Sequence, residues 1–175
     1  EALLPVLRSY AREIYTQAAL EVGFPPEFTP ELEEFIRGYV SVASVQHAKT
    51  SRQELQSLIS TLDFTEVLNA LELKLAEWLE ERAEKMAKRQ TTEGNGAFSK
   101  FAYIAGGVIS LRWVTAGSAT CPFCKKLNGR SVLGSETFLQ AGTALESDEG
   151  KLRVARNVNH PPAHPGCDCF ISPGS

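Results

Sequence analysis

Four cysteines and one histidine are the residues of this 175-residue chain whose types and spacing can do chemistry. They stand as Cys121-Pro122-Phe123-Cys124 and, further on, His164-Pro165-Gly166-Cys167-Asp168-Cys169. A Cys-x-x-Cys turn aims two thiolates at one centre, and a second cluster supplies the remaining corners of a tetrahedral shell. Such a shell would be a structural zinc site that ties the end of the chain back onto its middle. Two ligand sets are open. Cys121, Cys124, Cys167 and Cys169 give an all-thiolate site, because alternate residues of a strand point the same way. Cys121, Cys124, His164 and either Cys167 or Cys169 avoid placing both members of a Cys-x-Cys on one ion. Pro122 and Pro165 stiffen the two knuckles, which lowers the entropy lost in holding the donors.

Other chemistries of the same residues fit less well. Four cysteines allow two disulfides in three pairings. No secretory segment opens the chain, so thiols in a reducing compartment are favoured. A thioredoxin-like site needs its Cys-x-x-Cys at a strand-to-helix junction, and Leu127-Asn128-Gly129 is predicted to interrupt a helix directly after Cys124. A zinc deaminase needs His-x-Glu upstream of Pro-Cys-x-x-Cys. Here His47 is followed by Ala48-Lys49, and Thr120 precedes Cys121. A thiol hydrolase pairing a cysteine with His160 or His164 leaves the surplus cysteines unexplained. His47 reads as an ordinary helical histidine.

The elements that must position the cluster are α+β: a helical bundle over residues 1–90, then a small mixed domain over residues 91–175. Leu3, Leu4, Leu7, Ile14, Ala18 and Val22 recur at helical spacing. Gly23 to Pro26 ends that helix, and Thr29 with Pro30 starts the next as N-cap and first turn. Leu32, Phe35, Ile36 and Tyr39 form its apolar stripe. Ser51 with Glu54, and Asp63 with Glu66, have capping-box spacing. From Phe64, a long helix carries Leu68, Leu71, Leu75, Trp78, Leu79 and Met86 on one face, predicted to pack in the core, and ends near Arg89. Its glutamates are a solvated face, with Glu81–Lys85 and Glu84–Lys88 as supporting pairs. Thr91 to Gly96 reads as a break. Then follow a short helix over Phe98 to Ile104, a strand over Val108 to Thr115, a tight turn at Asn128-Gly129 and a strand over Arg130 to Leu133. A helical turn over Glu136 to Ala141, a polar loop over Ala144 to Gly150 and short strands at Leu152 to Ala155 and Cys169 to Ile171 complete the prediction. Trp113 is the expected core anchor, and Arg112 is out of phase with it.

Composition sets limits on function. The net charge of -3 argues against a general nucleic-acid binder. Charge is uneven, with 15 acids against 10 bases in residues 1–90 and 6 against 8 beyond. Lys125, Lys126, Arg130, Arg153 and Arg156 leave room for a weak contact with DNA. No apolar run is long enough for a membrane span. The chain opens on Glu1, as a piece of a longer protein or a processed product would.

The ordered set Trp113-Val114-Thr115, Cys121-Pro122-Phe123-Cys124, Leu127-Asn128-Gly129 and Pro162-Ala163-His164-Pro165-Gly166-Cys167-Asp168-Cys169 resembles the signature of the phage Mu F-like head morphogenesis domain. Arg82 and Thr92-Glu93 are compatible with it, and the resemblance covers roughly residues 80–172. It implies a minor capsid protein of a tailed phage or prophage. Such a protein is associated with the portal vertex and aids head assembly, genome packaging or DNA ejection. Its partners would be portal or capsid proteins, and its place the virion (capsid interior or portal vertex) after assembly in the bacterial cytoplasm. Relatives have been compared with the ADP-ribosyltransferase fold, but no Arg…Ser-x-Ser…Glu set stands in this chain. Asp168 occupies a position where the family commonly carries arginine, which argues against a nucleic-acid contact there. The alternative class is an enzyme, either thiol-dependent or a divergent ADP-ribosyltransferase.

Overall fold

The computed structural model of the protein describes residues 3–117 and 121–174, so Thr120 lies outside the described residues. The fold is mixed, a helical N-terminal region followed by small sheets and the Cys/His cluster. Its elements in chain order are α1 (Leu3–Glu21), α2 (Pro30–Thr61), α3 (Phe64–Glu77), a π-helical turn (Trp78–Arg82), α4 (Ala83–Ala105), β1 (Ser110–Val114), α5 (Pro122–Leu127), β2 (Ser131–Leu133), β3 (Ala144–Ser147), β4 (Gly150–Arg153) and β5 (Phe170–Pro173). Two compact units divide it. One holds residues up to Arg8 with Phe28–Ala87, and the other holds Ser9–Glu27 with residues from Lys88 onward.

In the first unit α2 starts as its residues dictate. The Thr29 side chain accepts from the Leu32 amide (3.3 Å), and Pro30 takes the first turn, where a missing N–H costs nothing. Leu32, Ile36, Val40 and Ala43 are its buried residues. The Ser51–Glu54 spacing does not mark a helix start, because α2 runs straight through it. Ser51 instead donates to the His47 carbonyl one turn back (2.8 Å) and accepts from Arg82, which also lies over the Trp78 ring at 4.0 Å. Asp63 is the N-cap of α3 as expected, without a side-chain capping bond. The Glu81–Lys85 pair forms. The apolar stripe of α3 is not core: α3 buries no residue, Leu71, Trp78 and Met86 are half-buried, and Leu68, Leu75 and Leu79 are exposed. Helical periodicity identifies an apolar face but does not say that the face is covered.

In the second unit the expected break at Thr91 to Gly96 is instead the middle of α4. Packing overrides the turn propensity of these residues. Tyr10 donates its hydroxyl to the Thr91 carbonyl (2.8 Å), and both glycines are buried where neighbours come close. A methyl at Gly94 would meet the Tyr10 ring at 3.0 Å, and one at Gly96 would meet His160 Nδ1 at 2.7 Å and the Pro161 carbonyl at 2.8 Å. Gly96→Ala is therefore expected to destabilise by about 1–3 kcal/mol through overpacking, despite alanine's better helix propensity. Gly38→Ala, in α2 with nothing near its added methyl, is expected to stabilise by up to about 1 kcal/mol. Urea midpoints of the two variants check the opposite signs.

Helix α4 ends at Gly106-Gly107, with Gly107 at φ +83°, and the chain turns into β1. β1 is the central strand of an antiparallel sheet of order β2-β1-β5, with Leu111 opposite Val132 and Trp113 opposite Ile171. Leu111 and Trp113 are fully buried and Arg112 is exposed, as the alternation predicts. Residues 136–141 are not a helical turn: Leu139 forms an isolated antiparallel bridge with Val158, Phe138 donates to the Val158 carbonyl (2.8 Å) and Val158 to that of Leu139 (2.8 Å). Residues 144–150 are not a loop. β3 and β4 form a hairpin with Ser147 opposite Gly150, and Lys151 pairs with Glu146 at 2.7 Å. This hairpin is polar because much of it faces water, so it carries little of the apolar alternation that marks a half-buried strand.

Candidate metal centre

The first knuckle hangs from the end of β1. Cys121 is the N-cap of α5: its sulfur accepts from the Cys124 amide at 3.4 Å, and Pro122 follows in the first turn. Helix α5 lasts six residues before Asn128 caps it and Gly129 turns at φ +79°. The knuckle is pinned to the strand by the bonds from the Gly129 amide to the Trp113 carbonyl (2.8 Å), from the Trp113 amide to the Arg130 carbonyl (2.9 Å) and from the Thr115 amide to Asn128 Oδ1 (3.1 Å). The expectation of no helix after Cys124 is thus corrected to one short helix, stopped where Asn128-Gly129 said it would stop.

The second knuckle is delivered by β5. Pairing Val114 with Phe170 and Trp113 with Ile171 brings the residues before β5 to the end of β1. Cys167, Cys169 and Ile171 are buried while Asp168 and Phe170 are exposed, the two-residue alternation of extended chain. The Cys167 amide bonds back to the His164 carbonyl (3.2 Å) around Gly166, whose φ of +76° glycine adopts without strain.

The two knuckles meet. His164 Nε2 lies 3.0 Å from Cys121 Sγ and 3.2 Å from Cys124 Sγ, and the Cys124 and Cys167 sulfurs are 3.6 Å apart. Two groups of donors converge: Cys121, Cys124 and His164, and Cys124, Cys167 and Cys169, with Cys124 common to both. His164 Nδ1 sits 2.8 Å from the Pro165 carbonyl, which places the ring proton there and turns the Nε2 lone pair toward the sulfurs. Phe123 packs edge-on to the His164 ring at 6.4 Å. All four cysteines are free thiols, with no disulfide among them.

The crowded thiols shift one another's ionisation. Cys124 is pushed above the ordinary thiol range, first by its hydrogen bond to Cys167, then by Cys169 and by burial. Cys167 is pulled down by hydrogen bonds with Cys124 and Cys169. Thiols crowded in one apolar pocket cannot all ionise together, since like charges disfavour each other at this range. A divalent cation reverses that, because it holds every sulfur as thiolate. The donors are sulfur and imidazole nitrogen without a carboxylate, a set that suits zinc and not calcium or magnesium. A sulfur–sulfur distance of 3.6 Å matches the edge of about 3.7 Å in a tetrahedral zinc–thiolate shell. Cys121, Cys124, His164, Cys167 and Cys169 can therefore hold a metal ion.

No family model, curated protein or solved structure matches this chain.

Beside the cluster, Trp113 buries its indole N–H with no hydrogen-bond partner among the described residues. The Cys169 thiol is pushed up, its hydrogen bond to Cys124 being outweighed by Cys167 and burial, and the indole opposes that rise only as the smallest contribution. An indole N–H near a cysteine would support that sulfur as a thiolate from the second layer if a metal were bound. Nothing in the spacing of the cysteines points to Trp113 in that role; only the pairing of β1 with β5 places it there. His160 is not part of the cluster. Its Nδ1 lies 2.7 Å from the Pro161 carbonyl against Gly96, and burial pulls its pKa down. Of the basic residues, Arg156 is held by Glu93 (2.6 Å) and Lys126 donates to the Glu146 carbonyl, while Lys125, Arg130 and Arg153 are exposed. A polar depression of about 750 Å³ lined by Arg130, Glu136, Thr137 and Asn157 contains none of the five donors.

Proposed function

We propose that this chain is a portal-associated minor capsid module of a tailed phage or prophage, and that the Cys/His cluster is a structural zinc site within it. Zinc would be held by four of Cys121, Cys124, His164, Cys167 and Cys169, and would supply a cross-link between the α5 knuckle and the segment leading into β5. The observation that carries the zinc reading is the approach of four thiols and an imidazole, in two groups of three that share Cys124, from two segments far apart in sequence. The capsid role rests on the resemblance of residues 80–172 to the Mu F-like signature. A module of this kind works by presenting a stable surface to portal or capsid proteins while the chain itself does no chemistry. Contact with packaged DNA would be weak, through Lys125, Arg130 and Arg153.

The role is tested by expressing the chain with the portal and head proteins of its own phage. It should stay with portal-bearing particles through purification, and Cys124→Ser should not. Recovery of the chain only as free protein would contradict the proposal. The competing reading, a thiol-dependent enzyme, draws on one observation: Cys121, half-exposed, lies 3.0 Å from His164 Nε2, the geometry of a nucleophile and its base. Against it stand the three further cysteines and the absence of an acidic partner on His164 Nδ1, which bonds a backbone carbonyl. Rapid alkylation of Cys121 alone in the native protein would favour the enzyme.

A further inference from the structure

Helix α3 and the π turn after it leave a line of large apolar side chains in water. Phe64, Leu68, Leu75 and Leu79 are 83%, 58%, 49% and 85% exposed. Steps of four and seven residues keep them on one helical face about 22 Å long. Their order is symmetric. Phe64 lies as far before the Leu71–Glu72 junction as Leu79 lies after it, and the same holds for Leu68 and Leu75. A stripe with this symmetry complements itself under a two-fold rotation, in which each residue meets its mirror position on the partner. An antiparallel copy would set Phe64 against Leu79 and Leu68 against Leu75, and each pair would occur twice. The rim is compatible: Lys74 faces Asn69, and Glu77, which would meet Glu66, is already paired with Lys74 at 2.9 Å.

The area is sufficient as well. The four side chains together expose about 500 Å², an apolar patch as large as the largest on a typical monomer. Two copies would bury about 1,000 Å², the size at which a specific interface begins.

We propose that this face is where two copies of the chain pair, antiparallel through α3. The occupant is a second copy rather than an unrelated helix because the apolar positions mirror themselves.

The test uses the full chain in sedimentation across the micromolar range. The wild-type mass should double with concentration, and Leu68→Glu with Leu75→Glu should remain a single chain. Both positions are exposed, so helicity by circular dichroism should be unchanged. A single chain at every concentration, or a doubling that survives both substitutions, overturns the proposal. Mixing Phe64→Cys and Leu79→Cys chains under mild oxidation reads the direction. A cross-link formed only in the mixture supports antiparallel pairing, and one formed by each variant with itself refutes it.

Discussion

Cys124→Ser is expected to cost the C-terminal unit its folded state. Cys124 is the one residue shared by both groups of donors and belongs to every ligand set open to the ion, so its loss breaks both groups at once. Serine is close in size, but its hydroxyl does not ionise to make a soft ligand. The packing loss alone is about 1–3 kcal/mol, from a buried polar group left unsatisfied. The metal loss is much larger. Zinc binding in small knuckled domains contributes about 10–16 kcal/mol of folding free energy, against a total stability of about 5–15 kcal/mol for an ordinary domain. Near-ultraviolet circular dichroism of Cys124→Ser should therefore lose its tertiary signal. Cys167→Ser, Cys169→Ser and His164→Ala then separate the ligand sets: whichever variant still holds the metal names the residue outside the shell. If Cys124→Ser keeps wild-type tertiary signal and melting temperature, the cluster is four ordinary thiols, three of them buried, beside a histidine.

Trp113→Ala carries the second large effect, about 3–5 kcal/mol of destabilisation. Trp113 is fully buried at the centre of the sheet, packs edge-on to Phe138 at 5.2 Å, and its backbone holds both Gly129 and Arg130 of the first knuckle. Truncation opens a cavity under the cluster and removes the indole N–H from Cys169. Trp113→Phe restores most of the packing and not the N–H. It should recover most of the stability while binding metal more weakly, since partners in the second layer contribute about 10–100-fold in affinity. Equal metal affinity in wild type and Trp113→Phe would show that the indole acts through packing alone. With Trp78→Phe as background, Trp113 is the remaining tryptophan, and its fluorescence should respond to a chelator.

The parts of this fold that were legible in the sequence are those set by local chemistry. Thr29-Pro30 begins α2, Asn128-Gly129 ends α5, Gly106-Gly107 ends α4, and Cys167-x-Cys169 alternates into β5. Each needs only a cap, a positive φ or a period of two. The parts that were not legible depend on partners distant in sequence. Thr91 to Gly96 has turn composition but is helix because Tyr10 and His160 press against its glycines. Ser51 looks like a cap and instead bonds one turn back inside a 32-residue helix. Phe138 and Leu139 are not helical because their backbone bonds go to Val158.

The site divides in the same way. Its five donors are visible as residue types and spacing, since metal ligation requires those atoms. The role of Trp113, the tautomer of His164 set by Pro165, and the position of His160 away from the cluster follow from strand pairing and loop closure. None of the three leaves a mark in the local pattern.

The most direct measurement is the metal content of the full chain, purified without added zinc and then treated with a chelator while its fold is followed. One zinc per chain, with loss of the tertiary signal of the C-terminal unit as the metal leaves, is the result expected of two knuckles closed on a single ion. A metal-free protein that keeps that tertiary signal would contradict it.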